Sequence, residues 1–133
     1  MRVQDGMSSI VLTVGPNHTL REAARLMSAR KVGAAVVLDP ESPGPGILTE
    51  RDVLRSLAEC EHPGDELVCE HQTDALISAS PDWSLEQAAE EMVQRGIRHL
   101  VVVDRGELVG VLSMRDIVRC WTQVGATASM SPP

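Results

Sequence analysis

The chain has 133 residues, of which 43% are hydrophobic and 23% charged, and carries a formal net charge of -7. That length fits one compact domain, or two half-size units that share a core, because each half alone buries too little surface to stand by itself. The acidic balance argues against nucleic acid or an anionic membrane as partner, and the absence of Phe and Tyr removes the usual base-stacking side chains, leaving Trp83 and Trp121 as the aromatics.

No apolar run approaches the roughly 20 residues of a membrane span. Met1-Arg-Val-Gln-Asp5 lacks the basic start and apolar core of a signal peptide, so a cytoplasmic location is expected. Cys60, Cys69 and Cys120 are odd in number and have no CxxC spacing, which points to reduced thiols rather than a disulfide framework.

In chain order, Ile10-Val-Leu-Thr-Val14 reads as a leading strand. Thr19-Leu-Arg-Glu22 then has the spacing of a capping box and opens a helix with Leu20, Ala23, Ala24 and Met27 on one face. His18, in the turn before that helix, reads as a solvated loop residue. Ala34-Ala-Val-Val-Leu38 is short, rich in β-branched residues and apolar at every position, which suits a strand covered on both sides. The loop Pro40-Glu-Ser-Pro-Gly-Pro45 removes backbone donors and is expected to shorten a strand there. Gly46-Ile-Leu-Thr-Glu-Arg-Asp52 ends a second strand and starts a second helix with apolar Val53, Leu54, Leu57 and Ala58. A polar connector from Glu59 to Asp74 contains the turn Pro63-Gly64.

The pattern then repeats. Val3 to Asp39 lies over Val68 to Asp104 at a constant shift, which drops by one before Gly46 lies over Gly110. The second copy has a leading strand at Ala75–Ala79 and a helix cap at Ser84-Leu-Glu-Gln87, followed by an apolar face of Leu85, Ala88, Ala89 and Met92. It continues with the strand Leu100-Val-Val-Val103, the segment Gly110-Val-Leu-Ser-Met-Arg-Asp116, and a helix with Ile117, Val118, Trp121 and Val124. Each copy is therefore expected as β-α-β-β-α in an α/β fold, and because two copies are too few for a solenoid, the halves are expected to pack about a pseudo-twofold axis that creates two equivalent clefts. The expected divisions are 1–60 and 68–124 for the two motifs, 61–67 for a linker and 125–133 for a disordered tail.

Taken together, the opening turns Val3-Gln-Asp5 and Val68-Cys-Glu70, the segments around Leu20 and Leu85, the VVLD and VVVD strands, and the two G-h-h-[TS]-x-R-D segments resemble CBS motifs. The whole chain is similar to a stand-alone CBS pair, or Bateman module. The resemblance implies regulation rather than catalysis, an adenosine-containing ligand such as AMP, ADP, ATP or S-adenosylmethionine in a cleft between the motifs, and a homodimer. It implies no required cofactor, and it leaves any protein partner, together with any activity under its control, on another polypeptide.

The residues carry a parallel case. Asp52 and Asp116, three residues into their helices, can accept the hydroxyls of a ribose as charge-assisted hydrogen bonds. Thr49 and Ser113 can offer a hydroxyl beside helix N-terminal N–H groups, and Ile47 and Val111 with Thr13 and Ser78 on the leading strands can form an apolar slot for adenine. Arg51, Arg115, Arg98 and His99 supply the local positive charge that a phosphate needs against an acidic background. Gly33 and Ala34 stand where the second copy has Arg98 and His99, so the two clefts are expected to differ and one functional site is favoured over two. Val36 and Val101 replace a proline frequent in the family's central strand.

A structural alternative uses the same residues. Thr49-x-x-Asp52 and Ser113-x-x-Asp116 have capping-box spacing, and a carboxylate there stabilises a helix start without any ligand. The box ordinarily ends in Glu or Gln, and Asp in both copies tilts the reading toward ligand contact. On the alternative, the chain is a structural or protein-interaction module. A further alternative is a zinc site formed by Cys60, His62, Cys69 and His71, although the C-x-H spacing is tighter than zinc ribbons favour. No G-x-S-x-G elbow, P-loop, HExxH or G-x-G-x-x-G occurs, and no catalytic residue is expected.

Overall fold

The computed structural model describes residues 1–75 and 77–130, with side chains described as far as Gln123. Packing divides the chain along different lines from the sequence repeat. Val11–Leu76 forms a first-repeat unit, and Met1–Ile10 joins Ile77–Pro133 in a second-repeat unit. The elements in order are α1 (Val3–Gly6), β1 (Thr13–Val14), α2 (Leu20–Arg30), β2 (Ala34–Val37), β3 (Gly46–Thr49), α3 (Glu50–Glu59), β4 (Thr73–Asp74), β5 (Ser78–Ala79), α4 (Leu85–Arg95), β6 (His99–Asp104), β7 (Glu107–Ser113) and α5 (Met114–Met130). The expected β-α-β-β-α order is present twice, as β1-α2-β2-β3-α3 and β5-α4-β6-β7-α5.

In the first-repeat unit the sheet order is β1-β2-β3-β4, with β1 parallel to β2 and the other pairs antiparallel. The leading strand is shorter than its apolar run: only Thr13 and Val14 pair with β2, and Ile10 is exposed. The α2 cap forms as its spacing requires, with the Glu22 N–H donating to Thr19 Oγ1 at 3.1 Å and the Thr19 N–H donating to Glu22 Oε1 at 3.2 Å. The backbone N–H of Thr19, followed by its hydroxyl, holds the Glu22 carboxyl below its ordinary range. His18 is tied rather than solvated, since its Nδ1 accepts the Gly15 N–H at 2.8 Å. Leu12, Val14, Leu20, Ala23, Met27, Ala35, Val37, Leu48 and Val68 form the buried core. Val36, between two core positions of β2, is fully buried as well, so this strand is covered on both faces as its unbroken apolar run suggests.

In the second-repeat unit β5 runs parallel to β6 and β6 pairs antiparallel with β7. Its core contains Val3, Ala79, Leu85, Ala88, Met92, Leu100, Val102, Leu112, Ile117 and Cys120. A fully buried leucine such as Leu85 contributes about 1.5–3 kcal/mol relative to exposure. The β6–β7 hairpin closes through Arg105 and Gly106, both at positive φ, 53° and 82°, as a tight two-residue hairpin turn requires. Its strands have 6 and 7 residues, against 4 each for β2 and β3. The difference follows from Pro40, Pro43 and Pro45, which interrupt the ladder in the first copy. At the C-terminal end α5 runs to Met130, through Gly125–Met130 where the sequence suggests a disordered tail. Residues 131–133 lie outside the described residues. No helix among the described residues is long and apolar enough to cross a membrane.

Each unit is completed by the opening segment of the other repeat, and the hydrogen bonds that do this match one for one. In the second-repeat unit Val3 N–H donates to Trp83 O at 2.7 Å, Gln4 N–H to Pro81 O at 3.1 Å, and Leu85 N–H to Met1 O at 3.1 Å. In the first-repeat unit Val68 N–H donates to His18 O at 2.8 Å, Cys69 N–H to Pro16 O at 3.0 Å, and Leu20 N–H to Glu66 O at 2.8 Å. The chain that follows then lies along the second β-strand of the hairpin: Ser8 exchanges two backbone hydrogen bonds with Val111, and β4 pairs with β3 through Thr73 and Ile47.

These close approaches explain Gly46 and Gly110. A Cβ on Gly110 would lie 2.8 Å from both Ser8 O and Met7 Sδ, while one on Gly46 would lie 2.6 Å from Nε2 of Gln72, the end of a flexible side chain. A backbone oxygen cannot step aside as a side-chain amide can. Gly110→Ala is therefore expected to cost about 1–3 kcal/mol in chemical denaturation, and Gly46→Ala clearly less. Equal losses would contradict the crossing geometry.

Candidate functional site

Two strand-to-helix turns hold most of the residues singled out in the sequence. At the first, β3 ends in Thr49, which caps α3. The Thr49 N–H donates to Asp52 Oδ2 at 2.8 Å and its hydroxyl to the same oxygen at 3.0 Å, while Asp52 N–H donates to Thr49 Oγ1 at 3.3 Å. Glu50 N–H donates to Gly33 O at 2.9 Å, which ties the helix start to the beginning of β2. Asp52 is 9% exposed. Its Oδ2 is committed to the cap, and its Oδ1 has no hydrogen-bond partner among the described residues.

The second turn repeats the cap. Ser113 N–H donates to Asp116 Oδ2 at 2.9 Å, and Asp116 N–H donates to Ser113 Oγ at 3.0 Å. Met114 N–H donates to Arg98 O at 2.8 Å, the counterpart of the tie to Gly33. Here the other carboxylate oxygen is engaged, because Arg119 Nη2 donates to Asp116 Oδ1 at 3.3 Å and also to Gly6 O at 3.3 Å. Arg119 was not among the residues expected from sequence. It lies three residues past Asp116 on the same helix, a spacing that brings such side chains together and could have found it.

The sheet registers align the other candidates. Thr13, Val36 and Ile47 are partners across β1, β2 and β3, and Ser78, Val101 and Val111 across β5, β6 and β7. In-register neighbours point to one face at about 4.8 Å spacing, so within each unit the polar leading-strand residue and the apolar residue of the hairpin flank a buried valine. His99 is the register partner of Ser113, where the first unit pairs Ala34 with Thr49. The second turn therefore gathers Arg98, His99, Ser113, Arg115, Asp116 and Arg119, with the arginines exposed. The first turn gathers Thr49, exposed Arg51 and Asp52. The two copies share a scaffold and differ in charge.

Two further features stand apart from these turns. A groove of about 380 Å³ in the first-repeat unit lies between α2, α3 and the 61–65 loop, and none of the residues expected to hold an adenosine ligand lines it. Of the four ligands considered for zinc, the structure brings together Cys60 and His71, with Sγ and Nε2 at 4.0 Å. The third member of that cluster is Glu66, not His62 or Cys69, both of which are exposed. The four-residue set is thus corrected to Cys60, Glu66 and His71. Burial, then the hydrogen bond to Glu66 and the nearby Glu66, Glu59 and Glu70 charges, pushes the Cys60 thiol up, and hydrogen bonds from Cys60 and His71 hold Glu66 low.

Comparison with known proteins matches this geometry to a family. The CBS domain profile fits residues 3–59 and 68–122. The CBS domain-containing protein YhcV of Bacillus subtilis is 40% identical over 116 residues, covering 86% of this chain and 81% of its own length. Two archaeal relatives, from Methanopyrus kandleri and Methanocaldococcus jannaschii, are longer, and the chain covers 61% and 41% of them. Among solved structures, the CBS-domain containing protein ATU1752 from Agrobacterium tumefaciens aligns with a TM-score of 0.84 at 30% identity, covering 91% of this chain and 99% of that one. The CBS domain pair of protein MJ0100, solved in complex with 5′-methylthioadenosine and S-adenosyl-L-methionine, aligns with a TM-score of 0.81 at 25% identity, covering 91% and 99%.

Proposed function

The chain belongs to the CBS domain family as two CBS motifs in tandem, a regulatory module, and on that ground we propose that its strand-to-helix turns hold an adenosine-containing ligand of the AMP, ADP, ATP or S-adenosylmethionine class. The observation that carries the reading is Asp52. One of its oxygens is fixed by the α3 cap and the other has no partner among the described residues, so the carboxylate is already aimed and can accept a hydroxyl without reorganising. A ribose offers two such hydroxyls, and Ile47, in register with Thr13 across buried Val36, supplies apolar surface for a base. Asp116 is the weaker sugar acceptor because Arg119 occupies its second oxygen. Arg98, Arg115 and Arg119 at that turn instead suit a phosphate or carboxylate group. The ligands printed for the MJ0100 pair belong to the same chemical class. The reading places the module in the cytoplasm, with its output a change in shape or in affinity for a protein partner and no bond broken on this chain.

A second reading has its own support. Both carboxylates already serve as helix caps, which is sufficient reason for their presence in a ligand-free interaction module. A thermal-shift panel of AMP, ADP, ATP, S-adenosylmethionine and 5′-methylthioadenosine separates the two. A ligand that binds only the folded chain raises stability by about 2.7 kcal/mol at one hundred times its Kd. We expect at least one compound to raise the melting temperature, and Asp52→Asn, which keeps an oxygen for the cap, to abolish that rise with little change in the ligand-free melt. Flat curves across the panel, or a rise untouched in both Asp52→Asn and Asp116→Asn, would leave the capping account alone.

The homodimer rests on separate observations. In the first-repeat unit α3 exposes Leu54 and Leu57, and in the second-repeat unit α5 exposes Val118 and Trp121, each of the four at least 47% accessible. Apolar side chains at such spacing on exposed helix faces mark an interaction surface. Sedimentation at micromolar concentration is expected to show a species of twice 14.4 kDa, and the double variant Leu54→Glu, Trp121→Glu is expected to revert it to the monomer. A monomeric wild-type chain would remove this proposal.

A further inference from the structure

Cys60, Glu66 and His71 come together in the first-repeat unit although they lie on three separate stretches of chain. Cys60 is the C-cap of α3, Glu66 follows the turn at Pro63–Asp65, and His71 follows the turn at Val68–Glu70. Cys60 Sγ lies 3.3 Å from Glu66 Oε1, His71 Nε2 lies 3.3 Å from the same oxygen, and Sγ lies 4.0 Å from Nε2. All three side chains are partly buried.

From these distances we infer that Cys60, Glu66 and His71 form a binding site for a divalent ion of the zinc class, with one further coordination position left to water or an outside ligand. In a tetrahedral zinc site, bonds of about 2.3 Å to sulfur and about 2.0–2.1 Å to nitrogen or oxygen set the donors about 3.3–3.6 Å apart. Two of the three spacings already match. The third is wide by a few tenths of an ångström, within the reach of a side-chain adjustment.

The chemistry selects the ion. One thiolate, one imidazole and one carboxylate are donors for zinc or cobalt, whereas magnesium and calcium prefer oxygen alone. Without metal, the Cys60 thiol and the ring of His71 share the single carboxylate oxygen of Glu66. On binding, the thiol proton leaves to solvent and the proton that Nε2 donates to Glu66 is exchanged through solvent onto Nδ1, so that the Nε2 lone pair faces the ion. A thiolate and a carboxylate then balance the two positive charges, which matters at a partly buried site. Glu59 and Glu70 act on Cys60 in addition to Glu66, so the surroundings favour a cation independently of the three ligands.

The donors are held by their backbone. Cys60 N–H donates to Ser56 O at 2.9 Å, and His71 N–H to Val68 O at 3.0 Å. Glu66 N–H donates to Pro63 O at 3.2 Å while its carbonyl accepts the Leu20 N–H at 2.8 Å. An ion here fastens the segment that joins the repeats to the end of α3. In the sequence repeat Val124 stands opposite Cys60, so the second copy has no equivalent thiol. The inference is independent of the adenosine ligand, and either can fail alone.

Titration of the reduced full-length chain with Co²⁺ tests the site. We expect a thiolate-to-cobalt charge-transfer absorption that saturates at one ion per chain, is displaced by Zn²⁺ and is indifferent to Mg²⁺. Cys60→Ser should abolish the band. Glu66→Gln and His71→Ala should weaken affinity by at least the roughly 10-fold that loss of even an outer partner costs, and Zn²⁺ should raise the melting temperature of the wild-type chain only. His62→Ala and Cys69→Ser should leave the titration unchanged, with circular dichroism confirming that each variant is folded. No band in the wild-type chain, or a band kept in Cys60→Ser and lost in Cys69→Ser, would overturn the assignment.

Discussion

The structure depends on an exchange of opening segments. Val3 fills the core built mainly from the second repeat, and Val68 fills the core built mainly from the first. Three backbone hydrogen bonds in each unit seat these segments at equivalent places. Each repeat supplies an element that its own unit does not use, so neither half contains all the residues of one complete core. For units of this size that sharing is significant, since a small domain has little apolar surface to offset the entropy of ordering its chain.

The same exchange positions the candidate site. β3 and β7 are held along one edge by the central strand and along the other by the visiting segment, through β4 in one unit and Ser8 in the other. The strand end that becomes the helix cap is therefore fixed from both sides. Thr49 and Ser113 start their helices at equivalent points, and a backbone tie to Gly33 or Arg98 sets each helix against the sheet. The two copies diverge on this common frame. Asp52 Oδ1 has no hydrogen-bond partner among the described residues, while Asp116 is paired with Arg119 in a turn that also gathers Arg98 and His99. A repeat that keeps the frame and varies a few polar side chains gives two turns with different preferences.

Local pattern was enough for the elements. Apolar spacing located α2 and α4, Ser and Thr caps located their starts, and the prolines at 40, 43 and 45 explained the shorter hairpin. What local pattern did not carry were contacts between residues far apart in the chain. Local pattern does not mark Gly46 or Gly110 as positions closed to a side chain, and only the visiting segment shows why one is excluded. β4 has two residues and no apolar run, so its pairing is invisible without its partner. The first leading strand is shorter than its sequence suggests because Ile10–Val14 is apolar apart from Thr13, although only its last two residues find a neighbour in β2. C-x-H spacing points to Cys and His alone, whereas the fold brings Glu66 to Cys60 and His71 by proximity. The dual use of Asp52 and Asp116 was legible as two alternatives, and the geometry shows that one carboxylate can serve a cap with one oxygen and leave the other for a second partner.

Amide hydrogen exchange on a chain lacking Met1–Ser8 tests the exchange of segments most directly. Removing those residues deletes the donor or acceptor that meets Trp83, Leu85 and Val111, all within the unit built on the second repeat. The account predicts that amides of α4, β6 and β7 lose protection while those of α2, β2 and β3 largely keep it. Loss confined to α2, β2 and β3, or unchanged protection throughout, would contradict it.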